Sequence, residues 1–221
     1  MIVEFLGISG VGKTFIATQY SLYLESKGIN YIWPWKNLYS KGYVIRNLKK
    51  ALGVSWELIT TPKWCIRLFK YLRHQDIRGK RDLPVLFFNG IFLNHAYKKY
   101  AKTKDVVLFD EGIAQFLWAV HFRNRKGITE REIQEFLELF SLPYILYIVK
   151  ASSEVILERM EKRNVRDEIR ERGNAMDEIE NGQKAVEMIS QTFSPKLCCN
   201  LVFIDNEGPN SNKNFSNWFL I

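Results

Sequence analysis

Cysteine is scarce in this chain: Cys65 and the adjacent pair Cys198-Cys199 are the only three among 221 residues. That excludes a disulfide framework and any two-pair zinc spacing, and leaves the thiols to serve as small buried hydrophobes. Histidine is equally sparse, and His74, His95 and His121 show no ligand or triad spacing, so no chemistry is assigned to them. Long apolar runs are missing too. No stretch of about 18 uncharged apolar residues occurs, and the apolar N-terminal segment carries Glu4 and lacks a basic start, so neither a membrane span nor a signal peptide is expected. A cytoplasmic protein without a membrane partner is the expectation.

Acidic residues are nearly absent from one segment. Between Lys41 and Arg81 stand Lys41, Arg46, Lys49, Lys50, Lys63, Arg67, Lys70, Arg73, Arg78, Lys80 and Arg81, against only Glu57 and Asp76, within a chain of formal net charge +8. Such a field attracts an anionic substrate or nucleic acid, although ordinary solvated helix faces have the same composition.

What is present is more specific. Gly7 to Thr14 read Gly-Ile-Ser-Gly-Val-Gly-Lys-Thr, after the apolar run Ile2–Leu6 and before a helical stretch. Glycines at this spacing let backbone N–H groups wrap a phosphate chain, while the following helix turns its positive end towards the anion. The motif predicts a nucleoside triphosphate site made by Gly7, Ser9, Gly10, Val11, Gly12, Lys13 and Thr14. Lys13 reaches the β- and γ-phosphates, and Thr14 ligates Mg²⁺.

Strands and helices alternate along the rest of the chain. A helix is expected over Phe15–Ser26, stopped near Gly28, then a strand over Ile29–Trp33 ending at Pro34. Short helices are expected around Tyr43–Leu52 and Lys63–Leu72, and a longer one over Leu83–Tyr100. Asp105–Asp110 is a short apolar run ending in a carboxylate, the pattern of a buried parallel strand facing a site. Thr129-Glu130-Arg131-Glu132 is a capping box that opens a helix with Ile133, Phe136, Leu137 and Phe140 on one face. Further elements are a strand over Tyr144–Val149, a helix over Ser153–Lys162, a helix over Arg166–Phe193 weakened at Gly173 and Gly182, a strand over Leu201–Asp205 and a small terminal helix over Ser211–Ile221.

Five strands separated by helices predict an α/β fold: an open, mostly parallel five-stranded sheet flanked by helices, in one domain spanning 1–221. Ligands of such sheets gather beyond the carboxyl ends of the strands. There the glycine loop, Trp33-Pro34-Trp35, Asp110-Glu111 and the helix bearing Arg159 should converge. Asp110 is a candidate for the metal shell, and Glu111 for a base acting on an acceptor hydroxyl or for positioning a water. Glu111 could equally be a solvated helix-terminal acid. Arg159 and Arg163, four apart on one helix face, could neutralise a transferred phosphoryl group or pair with Glu154, Glu158 and Glu161. Arg166 lies one more turn along if the helix persists, and Arg170 and Arg172 are weaker candidates. Trp33 and Trp35 could stack a base or fill core, and Phe87, Phe88 and Asn89 could face an acceptor.

This order of elements resembles the P-loop kinases of the nucleoside monophosphate kinase type, thymidylate kinases and their relatives in particular. The resemblance implies a P-loop NTPase fold using ATP and Mg²⁺, with a helical acceptor-binding segment over 41–104 and an arginine-bearing lid over 159–173. It also implies an adenine-binding loop at Asp205-Asn206-Glu207-Gly208, and allows a homodimer. The implied activity is phosphoryl transfer to a small acceptor, a nucleoside monophosphate or a nucleoside. Thymidylate kinases carry Asp-Arg-Tyr where this chain has Asp110-Glu111-Gly112. A carboxylate there repels a phosphate acceptor but assists a hydroxyl one, whereas the basic segment favours an anionic acceptor. A regulatory ATPase or GTPase, a sugar or metabolite kinase and a nucleic-acid end kinase are the alternatives. Asn212-Lys213-Asn214-Phe215 fails the guanine-recognition pattern at its last position.

Overall fold

The apolar run Ile2–Leu6 forms strand β1 and occupies the middle of the sheet, as expected of a strand with almost no polar residue to offer solvent. The computed structural model describes residues 1–162, 174–196, 200–208 and 219. The other strands are β2 (Tyr31–Ile32), β3 (Val106–Phe109), β4 (Ile145–Lys150) and β5 (Asn200–Asp205). The sheet order is β2-β3-β1-β4-β5, and every neighbouring pair is parallel. The expected five-stranded open sheet is therefore present, and it is wholly parallel.

Nine helices occur among the described residues: α1 (Lys13–Ser26), α2 (Pro34–Tyr39), α3 (Tyr43–Thr60), α4 (Pro62–His74), α5 (Asp82–Tyr100), α6 (Ile113–Arg123), α7 (Glu130–Leu137), α8 (Ser153–Lys162) and α9 (Ala175–Lys196). From β1 the chain passes to β2 on one side; from β3, the hydrogen-bonded neighbour of β1, it passes to β4 on the other. The connections thus diverge above the adjacent carboxyl ends of β1 and β3. This crevice is where an open α/β sheet leaves room for a ligand.

Several sequence expectations change in detail. The strand expected over Ile29–Trp33 shrinks to Tyr31–Ile32, because Pro34 sits in the first turn of α2. Helix α3 runs on past Leu52 to Thr60. The helix expected over Arg166–Phe193 is present from Ala175, where the Asn174 Oδ1 accepts the Met176 N–H at 3.1 Å; the expected start lies outside the described residues. Arg163, Arg166, Arg170, Arg172 and Gly173 lie outside the described residues, as do Cys198-Cys199, Asn212–Phe215 and all of the expected terminal helix except Phe219.

The capping box at Thr129 is formed in both directions, Thr129 with the Glu132 N–H and Glu132 with the Thr129 N–H. Helix α7 ends at Leu137, and Phe140 is buried just beyond it. The core between sheet and helices is strongly aromatic. Phe5 stacks on Tyr147 at 5.3 Å, and Phe219 meets Tyr20 at 4.7 Å. Such pairs add about 0.5–1.5 kcal/mol each beyond the area they bury. Cys65 is buried, as its composition suggested.

Candidate functional site

The glycine loop joins β1 to α1 and is held from outside by side chains distant in sequence. Gly12 has φ +98°, and a Cβ there would stand 2.2 Å from the Asn206 Nδ2. Only glycine satisfies both the left-handed backbone and the close approach. Asn206 is buried; its Nδ2 donates to the Val11 carbonyl at 2.8 Å. Arg159 donates to the same carbonyl from Nη1 at 3.1 Å and to the Asn206 carbonyl from Nη2 at 2.8 Å. The Gln115 amide oxygen accepts the Gly7 N–H at 3.3 Å. Lys13 stretches back over the loop, donating from Nζ to the Gly7 carbonyl at 2.7 Å and the Ile8 carbonyl at 3.0 Å. Its ammonium is therefore at the loop already, close to where a phosphate chain would lie.

The second wall of the site is the loop after β3. Glu4, in the middle of β1, is fully buried and accepts the Ile113 N–H at 2.8 Å and the Ala114 N–H at 2.9 Å. It thereby caps the start of α6 from a neighbouring strand, using the positive end of the helix. Burial raises its pKa to about 7, against the pull of the two N–H donors. Gly112 is required beside it, since a Cβ there would fall 2.2 Å from the Glu4 carboxyl carbon.

The preceding pair is fixed by tryptophans. The Trp33 Nε1–H donates to Asp110 Oδ1 at 2.9 Å, and the Trp35 Nε1–H donates to the Glu111 carbonyl at 2.6 Å. Both indoles are buried. Trp33 acts as a hydrogen-bond donor to the carboxylate, and Trp35 keeps one face to the cavity described next.

A cavity of about 360 Å³ opens between these walls and α5. Ser9 and Lys13 form its glycine-loop end, Glu111 and Gln115 line one side, and Asn89, Phe92 and Trp35 line another. Lys50 from α3 and Arg123 from the last turn of α6 also reach it. Glu111 keeps open surface as a residue, while its carboxyl is crowded by protein. Loss of water there and the neighbouring Asp110 hold its pKa above the ordinary carboxylate value, opposed by Lys13 and Lys50. Burial and Arg46 lower the pKa of Lys50, and Glu111 opposes them. The cavity thus brings an acid, three cationic side chains, two amides and apolar walls together beside the glycine loop. Its size lies within the range of small-molecule sites.

Of the residues singled out from sequence, Lys13 and Glu111 meet in the cavity, and Asp110 adjoins Glu111. Thr14 is exposed in the first turn of α1. Arg159 lies against the back of the loop, bonded to Val11 and Asn206. Asp205 is exposed at the end of β5, whereas Asn206 is buried against the loop. Phe88 is exposed and Phe87 packs on Phe69. Sequence reasoning did not single out Glu4, Gln115 or Arg123 for the site, and named Lys50 only as a member of the basic segment. The one available signal was Glu4, a carboxylate in an otherwise apolar central strand.

Oxygen donors suited to Mg²⁺ are present in the Thr14 hydroxyl and the Asp110 carboxylate. Trp33 engages Asp110 Oδ1 and leaves Oδ2 for water or an ion. Few protein ligands of hard oxygen character fit Mg²⁺, which retains waters and phosphate oxygens. Among the described residues no group of three or more His, Cys, Asp or Glu side chains forms a metal cage, and no helix is long and apolar enough to cross a membrane.

No family model matches the chain, and no curated protein matches it. Among solved structures it is similar to a deoxyadenosine kinase from M. mycoides with bound dCTP, at 13% identity over 96% of this chain and 94% of that chain, with a TM-score of 0.49. It is similar to a thymidylate kinase from Ehrlichia chaffeensis at 15% identity, covering 98% of this chain and 92% of that chain, with a TM-score of 0.46. The same M. mycoides enzyme with dCMP and a flexible dCDP bound gives 14% identity, 93% and 90% coverage and a TM-score of 0.47. Likeness at this level leaves the chemistry of the site to its own residues.

Proposed function

We propose that the chain transfers the γ-phosphoryl group of ATP to a small acceptor, a nucleoside or a nucleoside monophosphate, seated in the cavity beside the glycine loop. The single observation that carries this reading is that cavity. A pocket of ligand size, with Lys13 and Ser9 at one end and Glu111 at its side, gives an acceptor a place next to the phosphate chain.

The loop N–H groups and the N-terminal end of α1 bind the donor phosphates, and Lys13 exchanges its bonds to Gly7 and Ile8 for phosphate oxygens. Thr14 and Asp110 would hold Mg²⁺, which supplies charge neutralisation at the β- and γ-phosphates. An acceptor hydroxyl then attacks the γ-phosphorus. The bond from that phosphorus to the β–γ bridging oxygen breaks, ADP leaves, and the hydroxyl proton passes to Glu111. A raised Glu111 pKa suits this transfer, since the base stands closer to the working pH. For a phosphate acceptor, Lys50 and Arg123 offset the Glu111 charge within the same cavity. Arg159 supports the loop from behind, and a lid role for 159–173, with Arg163 on the phosphoryl group, is part of this proposal.

Acceptor-stimulated formation of ADP from Mg·ATP, measured across nucleosides, nucleoside monophosphates, sugars and oligonucleotide ends, tests the reading. Strong stimulation by one of the first two classes is the expected result. Hydrolysis indifferent to every acceptor would instead assign a regulatory ATPase, for which the Asp110-Glu111 pair is also suited.

A further inference from the structure

A second cavity, of about 500 Å³, lies between α2, α3 and α5. Trp35 and Phe92 line both it and the first cavity, and so form the wall between them. Its polar lining is one-sided. Lys41 from the turn before α3, Lys49 from α3 and Lys99 from α5 all face it, and no carboxylate does. Asn37 adds an amide, and Tyr100 adds an aromatic edge beside the lysines, with the Lys99 ammonium 5.4 Å from its ring centroid.

The buried acid of α3, Glu57, is already engaged. Glu57 accepts from Lys98 Nζ at 2.6 Å, from Thr61 Oγ1 at 2.8 Å and from Asn94 Nδ2 at 3.2 Å, and it lies 3.3 Å from His95 Nδ1. Three ammonium groups are therefore gathered over a hollow that has, among the described residues, no carboxylate in its lining. Close approach of the Lys41 side chain lowers the Lys49 pKa, with smaller contributions from lost solvent and from Lys99.

We infer that this cavity binds a phosphate-bearing small anion at a site separate from the glycine loop, held by Lys41, Lys49 and Lys99 and floored by Trp35 and Phe92. The ammonium groups recognise the shared chemistry of pyrophosphate and nucleotide polyphosphates through charge-assisted hydrogen bonds. The aromatic floor leaves room for a ring.

Calorimetric titration of the full chain carrying Lys13→Ala, without Mg²⁺, is the test, with pyrophosphate and ADP as the probes. Pyrophosphate should bind at one site per chain. Adding Lys49→Ala and Lys99→Ala should weaken that binding about tenfold or more. Adding Lys63→Ala and Lys70→Ala, which remove two exposed α4 lysines away from the cavity, should leave it unchanged. ADP tighter than pyrophosphate assigns the site to a nucleotide, and equal affinities assign it to free phosphoanhydride; both support it. Failure of pyrophosphate to bind, or equal weakening by the two double substitutions, overturns it. Acetylation mapped by peptide mass spectrometry gives a second reading, in which pyrophosphate must shield Lys41, Lys49 and Lys99 in the Lys13→Ala chain.

Discussion

Glu4 and Glu111 are two carboxyls raised by burial, and they make different demands on pH. Glu4 titrates near pH 7 in the folded chain and near its ordinary 4.5 when unfolded. Its contribution is fully present below the unfolded value and is lost as pH rises through the folded one, a change on the order of 3 kcal/mol. Thermal stability should therefore fall between about pH 4.5 and pH 7, and Glu4→Gln should flatten that fall. An unchanged slope in the variant would remove Glu4 as its source. Glu111, as the proposed base, should act on rate. With a hydroxyl acceptor, kcat/KM should rise with pH through an apparent pKa above the usual carboxylate range, and Glu111→Gln should lose that limb along with about 10²–10⁴-fold in rate. A pH profile shared by wild type and variant would deny it the role of base.

At the scale of elements, the position of α3 and the support of the glycine loop decide how the site is built. Helix α3 turns Val54 and Glu57 inward, while Val44, Leu48, Leu52 and Ile59 are exposed on its outer side. Its apolar spacing thus points away from the protein. Burial alone would raise the Glu57 pKa; bonds from Lys98 and Thr61 outweigh it and bring it below the ordinary value. Glu57→Ala should cost about 2 kcal/mol, discounted from a fully buried pair because Lys98 is 44% exposed. Hydrogen exchange should quicken in α3 before it does in the sheet. For the loop, Arg159→Ala should raise the KM for ATP about tenfold with a smaller loss in kcat, as befits a side chain bonded to the Val11 and Asn206 carbonyls. A kcat loss of more than about 10² at unchanged KM would place Arg159 on the transferred phosphoryl group instead.

Across the whole molecule, local patterns in the sequence located the strands, and long-range contacts assembled the site. Ile2–Leu6, Asp105–Asp110 and Tyr144–Val149 read as buried strands because strands covered on both faces are continuously apolar. The glycine loop was legible for the same reason, since its phosphate geometry is written in eight consecutive residues. Glu4 at the start of α6, the two indole donors at Asp110 and Glu111, and Asn206 against Gly12 were not. These contacts join residues 76 to 195 positions apart, and no periodicity encodes them. Arg123 reached the cavity unannounced, and Lys50 was legible only as one of eleven cations in the basic segment, because the packing of α3 and α6 selects which cations turn inward. The divergence of connections above β1 and β3 unites these parts, with the glycine loop after one strand and Asp110 and Glu111 after the other. The most direct measurement follows the γ-phosphoryl group itself, using γ-labelled Mg·ATP with a nucleoside or a nucleoside monophosphate. Label recovered covalently in the acceptor with the wild-type chain, and lost with a folded Lys13→Ala variant, is the expected result. Label appearing only as inorganic phosphate, or transfer undiminished in the variant, would contradict phosphoryl transfer at this loop.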